Sequence, residues 1–229
     1  MDVILFGATG MVGRGALREC LLDPGVGRVV TVGRSATGEP HPKLREIVVP
    51  EVGDLSSVEA ELTGFDACFF CLGASSVGLS EEEYTRVTHD LTVRVAETLA
   101  RLNPAMTFVF VSGQGTDGTE RGRVMWARVK GRAENAIQRA GFRAAYSFRP
   151  GLIVPMHGIT SRTGLYRAGY AVIRPLMPLL RLLAPGQVLT TERLGRAMLA
   201  VAREGYPAKV LEAKDINRVA DSASAPSTK

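Results

Sequence analysis

Near the start of the chain, Gly7-Ala8-Thr9-Gly10-Met11-Val12-Gly13 has the spacing G-x-x-G-x-x-G. It follows a short apolar run and opens an amphipathic stretch, so strand, turn and helix meet at the glycines. That is the setting in which backbone amides bind phosphate without help from side chains. Gly7 permits the turn, Gly10 lets the backbone approach a pyrophosphate, and Gly13 lets helix and strand pack closely; Thr9, Met11 and Val12 complete the loop. Twenty residues past Gly13 stands Val32-Gly33-Arg34-Ser35. An Asp or Glu at this point would accept from a ribose 2′-hydroxyl. There is none. Arg34 offers a guanidinium fork suited to a 2′-phosphate, so the expected cofactor is NADP, with NAD the lesser expectation.

Other residue types weigh less. Cys68 and Cys71 have redox-motif spacing, but they fall in an apolar run that reads as a strand. Three residues apart on a strand, they point to opposite faces, which suits two buried structural thiols. With only three Cys in 229 residues, neither a disulfide framework nor a metal site is expected. His89 sits mid-helix beside Asp90, as a surface or satisfied histidine would. His41 lies between Pro40 and Pro42 and reads as connector. His157, six residues past Gly151, is the histidine placed where a substrate would lie.

The elements that must carry these groups alternate. Strands are expected at Val3–Phe6, Arg28–Val32, Ile47–Val49, Asp66–Leu72, Thr107–Val111, Ala144–Phe148 and Lys209–Leu211. A helix is expected over Met11–Leu22. A second starts at Ser80, which can cap it ahead of Glu81, Glu82 and Glu83, and runs to Leu102 before Pro104. A third covers Val124–Ala140, and a fourth, capped by Thr190 or Thr191, runs to Arg203 with a further helical turn near the end. This rhythm predicts an α/β fold, a Rossmann-type doubly wound parallel sheet in order 3-2-1-4-5-6 with a seventh strand at its edge. Residues 1–155 form the dinucleotide-binding core and 156–220 a small C-terminal substrate or lid region completing the same domain. Residues 221–229, rich in Ser, Ala, Pro and Thr, read as a loose tail.

Further motifs join the glycines. They are Val52-Gly53-Asp54-Leu55, Cys71-Leu72-Gly73-Ala74, Ser112-Gly113-Gln114-Gly115, Val129-Lys130-Gly131-Arg132-Ala133-Glu134 and Phe148-Arg149-Pro150-Gly151. Together they make the chain resemble an atypical short-chain dehydrogenase/reductase of the NAD-dependent epimerase/dehydratase type. Within that type it resembles the Tat-interacting-protein-like oxidoreductase branch, over about residues 1–155 and more loosely to about 220. The resemblance implies that Asp54 contacts adenine and that Leu72, Gly73 and Ala74 line the ribose side. Arg149, Pro150 and Gly151 would lie along the nicotinamide side.

It also implies a Tyr four residues before a Lys on one helix, with a Ser at the preceding strand end. At that spacing the two share a helix face, and the ammonium lowers the phenol's pKa while holding the ribose. Lys130 is present. Trp126 stands in place of the Tyr, and an indole N–H donates but exchanges no proton near neutral pH. The family's second Ser is Gly113 here, which leaves Ser112 as the serine of the site. Three readings stay open: solvent supplies the proton, another group such as His157, Tyr166 or Tyr170 replaces the Tyr, or the protein binds NADP(H) without chemistry.

Charge is uneven. Residues 1–119 hold 9 basic and 16 acidic groups, residues 120–229 hold 19 and 7. The basic half suits an anionic partner, or simply forms a solvated basic face. Thr163–Leu183 reads as an apolar helix carrying Arg167, Arg174 and Arg181 and broken by Pro175 and Pro178. Arginines in mid-bilayer argue against a transmembrane span. A lid over an apolar substrate, a homodimer surface, a membrane-surface helix and a core helix with snorkelling arginines all fit. The leading expectation is therefore an NADP(H)-dependent oxidoreductase acting on a small carbonyl or hydroxyl compound. The alternative is a non-catalytic NADP(H)-binding regulator or scaffold. Sparse aromatics beside the basic charge argue against specific nucleic-acid binding. The opening Met1-Asp2 leads straight into an apolar run with no basic stretch, and with so few Cys a cytoplasmic compartment is expected.

Overall fold

The computed structural model describes residues 1–159 and 186–224. β1 (Asp2–Phe6), β2 (Arg28–Gly33), β3 (Leu44–Val48), β4 (Ala67–Phe70), β5 (Thr107–Val111), β6 (Ala144–Arg149) and β9 (Val210–Glu212) form a seven-stranded sheet. Its order is β3-β2-β1-β4-β5-β6-β9, and every adjacent pair is parallel. The expected order and the seventh edge strand are both present.

Why these runs become central strands is visible in how they divide between two cores. Val3, Leu5, Ala67, Phe69, Val109, Val111, Tyr146 and Phe148 face one apolar layer. Their alternates Ile4, Phe6, Cys68, Phe70, Phe108, Phe110 and Ala145 face the other. A period of two with both phases apolar is what a sheet covered on both faces requires. On the first face lie helices α1 (Met11–Leu22), α5 (Thr191–Glu204) and α6 (Ala213–Ser224); on the second lie α3 (Leu91–Leu102), α4 (Met125–Gln138) and the 3₁₀ turn Ser56–Leu62. Cys68 and Cys71 divide between these two layers as expected, and burial pushes the Cys71 thiol up to about 12.

Several boundaries differ from expectation for identifiable reasons. The helix expected from Ser80 to Leu102 begins as α2 (Glu81–Thr85) with a full capping box between Ser80 and Glu83. It is then interrupted by a π-turn at Arg86–Asp90 before α3. The third strand starts three residues earlier than expected because β3 is an edge strand, whose polar Arg45 and Glu46 still pair with β2 through the backbone ladder. A second, two-stranded parallel sheet of β7 (Leu152–Val154) and β8 (Val188–Thr190) was not expected; each strand is only three residues long. Thr190 caps α5, accepting from the Arg193 amide at 3.1 Å. The final helical turn is in fact α6, twelve residues that continue to Ser224, inside the segment read as loose. Thr163–Leu183, with Tyr166, Tyr170, Arg167, Arg174 and Arg181, lies outside the described residues.

α1 and α5 pack together and are tied at their ends. Arg203 forks onto Asp23 with contacts of 2.8 and 2.6 Å, and Arg196 reaches the buried Glu19 at 3.2 Å. The helix that carries the glycine loop is thereby fixed to the C-terminal part of the chain.

Candidate cofactor and active site

Gly7 leaves β1 with φ +79°, and a Cβ there would lie 2.7 Å from the Cys71 carbonyl. Only glycine satisfies both conditions. The Gly10 amide donates to the Gly7 carbonyl at 2.9 Å, closing the turn. Gly10 then caps α1 with no side chain on the first amides, and the first turn carries no acid. Those amides have no intrahelical partner and face the loop's open side, where an anion is favoured. A Cβ on Gly13 would sit 2.1 Å from the Gly7 carbonyl oxygen, so α1 approaches the loop as closely as backbone allows. Met11 and Val12 turn their side chains into the adjoining core.

Beside this loop is a cleft of about 100 Å³, lined by Gly7, Ala8 and Thr9, by Thr31 to Ser35, and by Val52 and Leu72. Arg34 is exposed and makes no hydrogen bond or ion pair among the described residues. Its loop is held from below by Glu46 of β3, which accepts from the Thr37 amide at 2.5 Å and the Gly38 amide at 3.1 Å. Burial works against the Glu46 charge, but the bonds from Thr37, Gly38 and Thr31 outweigh it and its pKa is lowered. Sequence reasoning missed Glu46; one acid on an edge strand carries no motif. Asp54 is exposed, and its carboxylate caps the following 3₁₀ turn by accepting from the Ser56 amide at 3.1 Å and hydroxyl at 2.7 Å. Leu72 is half-buried, and Gly73 and Ala74 are exposed at the end of β4.

The other half of the site lies between β5 and α4. The Lys130 ammonium stands 5.5 Å from the centre of the Phe110 ring. Among the described residues it has no hydrogen bond and no ion pair, and burial brings its pKa down to about 8, against a smaller raising effect of Glu134. The Ser112 hydroxyl is buried 2.9 Å from that of Thr116, and Thr116 in turn donates to the Gly113 carbonyl at 2.8 Å. Because the Thr116 proton is committed, Ser112 is the donor of the pair and keeps its lone pairs. Thr116, like Glu46, was not foreseen. Trp126 packs over this loop: a Cβ at Gly115 would lie 3.6 Å from its ring. Pro150 is buried and its carbonyl accepts from the Gln114 amide at 3.0 Å, while the Gln114 side chain bonds Gln187 at 3.0 Å beside Gly151. Arg149 forks onto the buried Glu134 with bonds of 3.0 and 2.6 Å.

His157 stands apart from these groups in its bonding. It is exposed, adopts φ +56°, and its Nε2 lies 3.0 Å from Glu192 in the first turn of α5. Glu192, its pKa lowered first by this bond, is shared with Arg196 at 2.5 Å. Among the described residues no group of His, Cys, Asp or Glu is placed to share a metal, and no helix is long and apolar enough to cross a membrane.

A dinucleotide fits what is present: a loop whose free space any Cβ would fill, uncapped helix amides, and an ammonium without an acceptor. Fold and site together define a Rossmann-type nicotinamide-dinucleotide protein. The chain belongs to the NAD dependent epimerase/dehydratase family, whose profile matches residues 3–123. It is therefore a member of an oxidoreductase-like family that binds NAD(P). A relative from Emericella nidulans, named protein fmp52, mitochondrial, is 31% identical over 159 residues, 66% of this chain and 66% of that protein. One of the same name from Aspergillus clavatus is 32% identical over the same extent. The chain thus matches about two-thirds of the length of these relatives. Among solved structures, the Bordetella bronchiseptica enzyme WbmF in complex with NAD+ superposes with a TM-score of 0.67, at 16% identity, covering 97% of this chain and 77% of that one. MoeE5 in complex with UDP-glucose and NAD gives 0.65 at 20% identity, over 93% and 75%. These two likenesses are of fold.

The relatives correct one expectation. The compartment read as cytoplasmic does not stand, because the curated relatives are named mitochondrial. Three free cysteines do not tell one compartment from another.

Proposed function

We propose that the chain is an NADP(H)-dependent oxidoreductase of atypical short-chain type, related to the Tat-interacting-protein-like branch, acting on a small carbonyl or hydroxyl compound. The observation that carries this reading is Lys130 of α4, an ammonium over the Phe110 ring of β5 with no protein acceptor among the described residues. A half-buried cation without a protein partner is costly, and folds retain one where a ligand satisfies it. When bound, the nicotinamide supplies or accepts the hydride. Lys130 holds the ribose hydroxyls, the α1 amides and Gly7–Gly13 hold the pyrophosphate, and Ser112 and Trp126 border the substrate. Leu72, Gly73, Ala74, Pro150 and Gly151 flank the cofactor, and residues 156–220 close the substrate side. With Trp126 in the Tyr position, the proton comes from solvent. The relatives' names support a mitochondrial setting. A second copy and a membrane surface remain the partners suited to the C-terminal half.

Choice of NADP rests on Arg34, unpaired at the rim of the cleft beside Gly33. Charge-assisted bonds to a 2′-phosphate are each worth roughly 1.5–3 kcal/mol, about a ten- to hundredfold preference over NAD. Titration of wild type, Gly33→Asp and Arg34→Ala with NADPH and NADH tests this. Gly33→Asp is expected to reverse the order, and equal affinity of wild type for the two cofactors rejects it. NADPH consumption against a carbonyl panel tests the enzyme. Tight binding with no turnover on any substrate favours the second reading, a non-catalytic NADP(H)-binding regulator, which Trp126 and Gly113 support.

A further inference from the structure

Lys130 and Glu134 stand one turn apart on α4, the spacing at which lysine and glutamate pair across a helix face. They do not pair. Both Glu134 oxygens are taken by Arg149 from β6, Nε to Oε1 at 3.0 Å and Nη2 to Oε2 at 2.6 Å. The third guanidinium nitrogen, Nη1, reaches Glu212 of β9 at 3.2 Å. Glu134 is 3% exposed, so its carboxylate has no water to turn to.

We propose that Arg149 is a positioning residue whose fork holds Glu134 away from Lys130, keeping the lysine ammonium free for the cofactor's ribose hydroxyls. The assignment of that ammonium to ribose rests on the dinucleotide reading above. Arginine is suited to this task because its planar fork occupies both oxygens at once, which an ammonium does not. Among the described residues, the charges on the elements packed against α4 have partners or neighbours of their own. On α2, Glu81 is held by Arg128 and Arg132. In the π-turn, His89 and Asp90 pair with each other at 2.8 Å. On α3, Glu97 shares a groove with Arg139, two turns further along α4. Among the described residues, Glu134 is the charge that acts electrostatically on Lys130.

Removal of Arg149 leaves a buried carboxylate one helical turn from Lys130. Two measurements on the full chain follow the consequence. Competitive acylation of Lys130 across pH, read by peptide mass spectrometry without cofactor, gives its titration. Fluorescence titration with NADPH across the same pH range gives affinity. Arg149→Met is expected to move the Lys130 titration upward from about 8 and to weaken NADPH at neutral pH by tenfold or more. Glu134→Gln is expected to move the titration downward. The double variant Glu134→Gln/Arg149→Met should return NADPH affinity to within a few-fold of Glu134→Gln alone. Should Arg149→Met not fold, Arg149→Lys, which holds one oxygen only, is expected to give a smaller upward shift.

A fork that merely braces the fold predicts otherwise: both single variants lose affinity alike and the Lys130 titration stays put. Shifts in the same direction, no shift, or no recovery in the double variant each overturn the proposal. Failure of wild type to bind either NADPH or NADH instead overturns the dinucleotide reading, while the acylation series still reports on Glu134 and Lys130.

Discussion

The glycine loop at the start of α1 and the Lys130 end of the site do their work by opposite means. At the loop, function comes from missing side chains: Gly7 and Gly13 leave space that a Cβ would fill at 2.7 and 2.1 Å from neighbouring backbone. Around Lys130, it comes from side chains that satisfy one another and leave one out. Ser112 is tied to Thr116, Gln114 to Gln187, and Glu134 to Arg149, while Lys130 has none of these partners. The first region fails by overcrowding. The second fails by repartnering.

Gly13→Ala tests the first half of that contrast and has the largest expected effect. The new methyl would meet the Gly7 carbonyl at 2.1 Å, and the obstacle is backbone, which has no rotamer to escape into. Such strain costs roughly 3 kcal/mol or more, on the order of a hundredfold in cofactor affinity. Gly10→Ala, with 3.3 Å to the same carbonyl, is expected to cost less. Equilibrium binding of NADPH to both variants checks the order. Equal losses would show that the loop's shape, rather than the α1 approach, sets the affinity.

Lys130→Met probes the second half. In the folded chain the ammonium loses its proton near 8, in the unfolded chain near 10.5. Below pH 8 both states are protonated and the folded state bears the full cost of a half-buried charge that has no partner among the described residues. Between the two values the unfolded state binds more protons, so stability rises with pH. Above both the cost is gone. The difference is roughly 3 kcal/mol. Lys130→Met is therefore expected to be more stable than wild type by about that amount at pH 7, with the gap closing towards pH 10.5, while NADPH affinity falls about ten- to hundredfold. Denaturant melts at several pH values are the check. A variant less stable than wild type at pH 7 would mean that Lys130 has a partner within the protein.

The same contrast explains what the sequence disclosed. The strand order was legible because each central strand is apolar in both phases of its period, and the loop was legible because glycines three residues apart are a local pattern. Glu46 under the Arg34 loop, Thr116 beside Ser112 and the Glu134–Arg149 fork were not. Glu46 and the Glu134–Arg149 fork join separate elements, Ser112 and Thr116 share one loop, and nothing in their spacing along the chain marks any of them. The π-turn at Arg86–Asp90 escaped for a related reason, since α2, the turn and α3 carry one continuous helical pattern and the extra residue shows only in backbone bonding.

The smallest expected effect concerns His157, which the sequence places near substrate and the structure ties to Glu192. Two opposing contributions act there. The imidazole is 37% exposed on its side of the pair, so the contact with Glu192 is worth at most about 1 kcal/mol. Its backbone is at φ +56°, a region that costs a non-glycine residue about 1 kcal/mol. His157→Ala loses the contact and keeps the strain, and is expected to lower stability by up to about 1 kcal/mol. His157→Gly loses the contact and relieves the strain, so it should melt close to wild type. Turnover, with whatever carbonyl compound proves to be a substrate, is expected to stay within about twofold in both, since a group that only docks the residues just after β7 onto Glu192 adds nothing to the barrier. Loss of turnover by a hundredfold or more in His157→Gly, with its melting unchanged, would instead make the imidazole the proton donor that Trp126 cannot be.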